Sequence, residues 1–338
     1  MRAQWIERLP KMELHCHLDG SVHPERIRAF YRQTGRPRPE DAPLRARESC
    51  ESLTEYLRCF DLPLQWLQTE VGLEQAVRDL LGDAAREHIR YLEIRFAPTL
   101  HLEGGLTYRQ VFDALARGCA RGETECGVVS RLIVCAMRHH TQAQNLAMLD
   151  AARDYFPALV CAADLAGDEN AFPTALHAPF FRQAAAWGIP FTIHSGETGS
   201  AANVRTALDL GAARLGHGIA MAGHPDLIAR CRAAGVGVEL CPTSNFQTKA
   251  ARGWAEYPLR AFLDAGLLVS LHTDNRTVSG TNLNREYLRA VNEGGCTPAE
   301  VVQMLRNACA VSFAPEGVKR AFLRELEEAA REDDLFSV

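Results

Sequence analysis

Eight short β-rich runs, separated by longer amphipathic segments, constrain the fold of this chain more than any other feature. The runs are Lys11–Leu18 (KMELHCHL), Ile89–Ala97 (IRYLEIRFA), Val128–Met137 (VVSRLIVCAM), Ala158–Leu165 (ALVCAADL), Pro190–His194 (PFTIH), Arg214–His217 (RLGH), Val236–Cys241 (VGVELC) and Leu267–Thr273 (LLVSLHT). Amphipathic segments such as Glu74–Glu87, Tyr108–Glu123, Asn145–Tyr155 and Ala201–Gly211 lie between them. Strands that alternate with helices pair in parallel, because each crossover must return the chain to the same end of the sheet. Eight such units in one uninterrupted series predict an α/β fold, a closed (β/α)8 TIM barrel; the alternative is an open doubly wound sheet. The whole chain, 1–338, is expected to form a single barrel domain, a length this fold accommodates.

The stretch of about 19–88, between the first two runs, is too long for one crossover helix and predicts a lid insertion of extra helices over the barrel mouth. Within it Leu53, Tyr56, Leu57 and Phe60 recur at i, i+3, i+4 and i+7, one apolar helical face. That face either packs on the core or dries a site beneath it. Further helices are expected at about 297–338. The net charge of −5 argues against a nucleic-acid footprint, and the longest apolar stretches fall far short of the ~20 residues of a membrane span. The eleven cysteines are scattered, odd in number and without a C-x-x-C pair, and MRAQWIERLPK lacks the apolar core of a signal peptide. These features predict reduced thiols and a cytoplasmic protein.

Catalytic residues of such barrels come from the C-terminal ends of the strands. The polar residues here gather there. The first run ends in His15-Cys16-His17-Leu18-Asp19. Residues i and i+2 of a strand share a face, so His15 and His17 both point inward. A lone histidine is more often structural; a pair on one apolar strand fits a metal. The fifth run ends in His194-Ser195-Gly196-Glu197, and the sixth in Gly216-His217-Gly218. The bland reading of His217 is a turn residue, but its glycines suggest close approach of a ligand to the backbone. The eighth ends in His272-Thr273-Asp274-Asn275, where Asp274 is either a helix N-cap or the anionic partner of three imidazoles. His272 also points inward, by default packing below the metal.

Three nitrogens and a carboxylate, from His15, His17, His194 and Asp274, suit Zn2+. A binuclear site on this scaffold uses a carboxylated lysine near strand four or five. The only lysines are Lys11, Lys249 and Lys319, so one ion per chain is expected. The zinc architecture built on P-C-x-x-C finds no match, since Cys241 precedes Pro242 and stands alone.

Taken together, MELHCHLDGS, DLAGDE, HSGE, LGHG, CPTSN and SLHTDN resemble the adenosine deaminase family of the amidohydrolase superfamily, in its bacterial form. The motifs are in order and correctly spaced from Leu9 to about Arg285. The resemblance implies a metal-dependent hydrolase that converts adenosine, and 2′-deoxyadenosine, to inosine and ammonia by attack of a metal-activated water on purine C6. It implies that His15, His17, His194 and Asp274 bind zinc. Glu197 would protonate N1, and His217 would orient and help deprotonate the water. The Gly167 N–H would meet N3. Asp19 would bond the ribose 5′-hydroxyl, with His17 facing substrate as well as metal. The family commonly has a second aspartate after the zinc aspartate; here it is Asn275, whose amide can still donate to N7. The implied partner is a small-molecule purine nucleoside, with no nucleic acid and no membrane; oligomeric state is not legible from these motifs. The rival readings are a deaminase of adenine or a 5′-modified adenosine, and a non-catalytic nucleoside-binding protein. Adenine deaminases of this type tend to carry glutamate where Asp19 stands, and the shorter aspartate leaves room for a sugar.

Overall fold

A computed structural model describes residues 2–35, 39, 42–47, 50 and 53–332. Each of the eight runs forms a strand: β1 Lys11–His17, β2 Ile89–Phe96, β3 Val129–Met137, β4 Val160–Ala166, β5 Thr192–Ser195, β6 Arg214–His217, β7 Gly237–Leu240 and β8 Leu268–Leu271. All pair in parallel with their sequence neighbours, in the orders β1-β2-β3-β4 and β5-β6-β7-β8. Two seams join these sheets. At one, Ala163 bridges Phe191, and the Ala163 N–H donates to Pro190 O at 3.0 Å. At the other, Cys16 bridges Asp274; the Asp274 N–H donates to His15 O at 2.8 Å and the His17 N–H to Asp274 O at 2.7 Å. The first and last strands therefore meet. In an open sheet they would not, and the fold is the (β/α)8 barrel.

Helices follow the strands in turn, including Tyr108–Cys126, Gln142–Arg153, Ala178–Ala186, Ala201–Leu210 and Pro225–Ala234. Local chemistry starts them. Thr107 and Thr141 each accept from the backbone N–H three residues on, while Gln110 and Gln144 reach back to the cap N–H. The expected C-terminal helices fall at Pro298–Val311 and Glu316–Glu332; residues 333–338 lie outside the described residues. No helix among the described residues is long and apolar enough to cross a membrane.

The barrel interior departs from the stacked Val, Ile and Leu layers usual in this fold. On β1 the inward positions are Lys11, Glu13, His15 and His17, while Met12, Leu14 and Cys16 join the apolar core outside. Glu93 and Arg95 of β2, Asp164 of β4, Arg214 of β6 and Glu239 of β7 are also fully buried. Arg95 bonds Asp164 at 2.6 Å and also bonds Glu239. Arg214 bonds Glu93 and Glu239. The waist of the barrel is thus a closed set of ion pairs, lying directly under the strand ends.

Between β1 and β2 the chain forms helices at Pro24–Thr34, Leu53–Leu57, Asp61–Trp66 and Glu70–Arg86. The apolar face proposed over Leu53–Phe60 is not one continuous helix, because residues Arg58–Phe60 tighten to a 3-10 turn. Tyr56 is buried, its hydroxyl 2.7 Å from Ser279 Oγ. The side chain of Leu53 lies outside the described residues.

Candidate metal centre and substrate cavity

Each strand end delivers its polar residue to one point. His15 Nδ1 lies 3.0 Å from Glu239 Oε2, and His194 Nδ1 lies 2.8 Å from Asp164 Oδ2. Carboxylates accept, so both Nδ1 atoms carry the protons. The Nε2 lone pairs of these rings then face each other at 3.0 Å. His17 Nε2 joins them, 3.1 Å from His194 Nε2. Asp274 Oδ1 completes the group, 3.5 Å from His15 Nε2 and 3.4 Å from His17 Nε2. Lone pairs held this close repel unless a cation sits among them. At Zn–N and Zn–O distances near 2.0–2.1 Å the edges of a tetrahedron are roughly 3.3–3.4 Å. The donor set therefore fits such an ion.

The surrounding groups hold these donors. Ser244 Oγ donates to Asp274 Oδ2 at 2.6 Å, turning Oδ1 toward the imidazoles. Burial lowers the His15 pKa to about 4 and holds that of His17 well below the usual imidazole range, so both are neutral donors. Burial also acts to lower His194, but the adjacent Asp164 charge outweighs it and raises that ring, making it a more basic ligand. Burial pushes the Asp274 carboxyl up, and the neighbouring histidines more than reverse this, holding it well below the usual carboxylate range. Asp274 and His217 adopt left-handed backbone at φ 58° and 62°, strain of the kind that concentrates at functional sites. The glycine before His217 makes room for the neighbouring histidines rather than for a substrate against the backbone: a Cβ at Gly216 would stand 3.1 Å from both His15 Cε1 and His194 Cα.

Above the donors is a cavity of about 320 Å3. His17, Asp19, Gly167, His194, Glu197, His217, Asp274 and Asn275 all line it, with Tyr56, Leu57 and Phe60 from the insertion. The structure thus brings these sequence-predicted residues to one cavity, and Tyr56, Leu57 and Phe60 of the insertion form part of its wall. His15 lies just below. His217 belongs to the candidate metal group as well: its ligand atom lies within 4.8 Å of those of His15, His194 and Asp274. Asn245 Nδ2 donates to its Nδ1 at 3.0 Å, and Tyr257 donates to Asn245 Oδ1 at 2.9 Å. The neutral His217 ring therefore carries its proton on Nε2, which faces Glu197 Oε2 at 3.7 Å. Burial lifts the Glu197 carboxyl above its ordinary range, and the Asp19 carboxyl to about 6. His272 packs beneath the donors, with Nε2 2.8 Å from Ser270 Oγ and Nδ1 3.0 Å from Glu13 Oε1.

Several contributors were not singled out in the sequence: Asp164 and Glu239 behind the histidines, Ser244 behind Asp274, Asn245 behind His217, and Arg95. A signal existed for some. Glu93 and Arg95 occur at period two in an apolar strand, as do His15 and His17. Asn245 and Ser244 stand within the CPTSN motif but carry no mark of their partners.

A parallel barrel whose mouth gathers buried histidines, a buried aspartate and a buried carboxyl acid has a donor group that could hold a metal ion beside an acid. The profile described as Adenosine deaminase matches residues 10–329, and this chain belongs to that family. The adenosine deaminase of Enterococcus faecalis is 38% identical over 334 residues, covering 97% of this chain and 99% of that protein. That of Clostridium acetobutylicum is 37% identical over 329 residues, 95% and 98% of the two chains. Among solved structures, the adenine deaminase of Arthrobacter aurescens superposes with a TM-score of 0.90 at 27% identity, covering 96% of this chain and 99% of that one. The N6-methyl-AMP deaminase of Arabidopsis thaliana superposes with a TM-score of 0.85 at 25% identity, covering 98% and 100%.

Proposed function

We propose that this protein deaminates adenosine, and 2′-deoxyadenosine, to inosine and ammonia, using one zinc ion held by His15, His17, His194 and Asp274. The observation that carries the reading is the set of converging Nε2 lone pairs, each ring backed by burial or a carboxylate, directly beneath a cavity that holds a buried carboxyl acid. When bound, zinc supplies a water ionised at pH near 7. The protein's own residues do the rest. His217, with its proton on Nε2, orients that water toward C6; the placement of the proton favours this orienting part over proton abstraction. Glu197 enters protonated, as its burial favours, and donates to N1 as charge moves onto the ring. The N–H of Gly167 meets N3, and the Asn275 amide donates to N7 without needing a raised carboxyl pKa. Asp19 takes the ribose 5′-hydroxyl beside His17. Tyr56, Leu57 and Phe60 exclude bulk water, which strengthens every charge interaction inside. The C6–N bond breaks, ammonia leaves and C6 keeps the oxygen. The reading takes the whole chain as one barrel domain and a soluble cytoplasmic enzyme.

Ammonia release from adenosine and from adenine, with and without a chelator, tests this. Adenosine is expected to be the better substrate and the chelator to abolish turnover. Asp19→Ala should cost nucleoside far more than free base. Turnover untouched by complete metal removal, or preference for adenine, contradicts the reading.

A further inference from the structure

Glu169 stands in the turn after β4, 3% exposed and away from the cavity wall. Its carboxylate grips the turn after β5 at two points. Oε2 accepts from the Gly196 N–H at 2.9 Å, and Oε1 from the Thr198 N–H at 2.8 Å and Thr198 Oγ1 at 2.9 Å. These are the residues on either side of Glu197. Gly196 is left-handed at φ 81°, so the turn that aims Glu197 has little intrinsic preference for its shape. Further bonds hold the clamp itself. Asn203 Nδ2 donates to Glu169 O at 3.2 Å, and Arg138 Nη2 lies 3.8 Å from Glu169 Oε2 while donating to His194 O at 2.7 Å.

The turn that carries Glu169 also carries Gly167. One side chain therefore ties the turn proposed to read N3 to the turn proposed to protonate N1. Those two atoms belong to a single rigid ring, so their protein partners must keep a constant separation. Functional groups held less closely than about 0.5 Å lose much of their effect. We propose that Glu169 is a positioning residue that sets the placement of Glu197 relative to the Gly167 turn. It touches neither substrate nor metal and acts through Glu197, an inference that rests on the reading of Glu197 as the acid.

Glu169→Gln keeps the volume but offers one acceptor and one donor, so one of the two backbone N–H groups faces an amide N–H2. A misplacement near 1 Å costs about 10²-fold, so kcat for adenosine should fall by about that factor with KM changed by less than about threefold. Bound metal should be unchanged. Residues acting as a unit are non-additive, so E169Q/E197Q should be slower than E197Q by no more than about threefold. Thr198→Ala, which removes one bond of the clamp, gives the same test at smaller amplitude should E169Q fold poorly: a loss on the order of fivefold that vanishes on the E197Q background. Multiplicative losses in the double variants, a raised KM with kcat preserved, or loss of metal matching the loss of rate would each overturn the proposal. Near-normal turnover by E197Q alone would instead remove Glu197 as the acid, a failure of the underlying reading that is separable from the role of Glu169.

Discussion

The mouth of the barrel and its waist are built from the same kinds of residue and solve opposite problems. At the waist every charge meets its complement: Arg95 lies between Asp164 and Glu239, and Arg214 between Glu93 and Glu239. A few ångströms above, Nε2 atoms point at one another at 3.0 and 3.1 Å, two strand ends are held at positive φ, and a carboxyl acid is kept out of water. The waist is satisfied without a ligand, whereas the mouth presents converging nitrogen lone pairs that a cation could complete. Local conflict in a native fold marks function, and the satisfied layer beneath is what holds the conflict in place. The two regions are joined through Asp164 and Glu239, each of which serves an arginine below and a histidine above.

Substitutions separate the two. The largest effect on chemistry should come from Glu197→Gln, which keeps the metal and lowers kcat by roughly 10²–10⁴-fold, the worth of a positioned general acid. Its pH profile sharpens the point. The burial-raised carboxyl is protonated below its elevated pKa and loses its proton as pH rises through it. Wild-type kcat/KM should fall on that alkaline side, and the fall should be missing in E197Q. Arg95→Met attacks the waist instead. It leaves the buried Asp164 without its arginine and Glu239 with Arg214 alone, and breaking a buried pair this way costs about 3–5 kcal/mol, read as a lower midpoint in denaturant. A loss under about 1 kcal/mol would mean that the waist does not support the mouth.

Surface charge sets the small end of the scale. Arg260 pairs with Glu300 at the start of helix Pro298–Val311, with side chains 44% and 25% exposed. Arg260→Ala should cost at most about 1 kcal/mol. The Arg260 hydrogen bond holds the Glu300 pKa at about 2, so the difference from wild type is present above the ordinary glutamate range and fades as pH falls through about 2.

Much of this was legible in the sequence because the fold writes its function at fixed places. Strand ends aim residues at one point, and a period of two sorts inward from outward, so His15, His17, His194 and Asp274 could be placed without coordinates. The same alternation in KMELHCH marks Glu13 as inward, yet only pairing across the barrel reveals its bonds to Thr273 and its place beside His272. Long-range partners of this kind leave no local pattern: Glu239 is 224 positions from His15, and Ser244 is 30 from Asp274. The flanking glycine was legible as a need for space, but not what fills it. At Gly216 that is two histidines, not a substrate. The apolar spacing of Tyr56, Leu57 and Phe60 does not reveal the tightening to 3-10 geometry at Arg58–Phe60, because the spacing survives it.

The central claim is that the mouth is assembled around one metal ion. A crystal structure with anomalous data collected at the zinc edge tests it directly. One peak is expected, within about 2.0–2.2 Å of His15 Nε2, His17 Nε2, His194 Nε2 and Asp274 Oδ1. Two peaks, or a single peak that leaves His17 uncoordinated, would contradict the account.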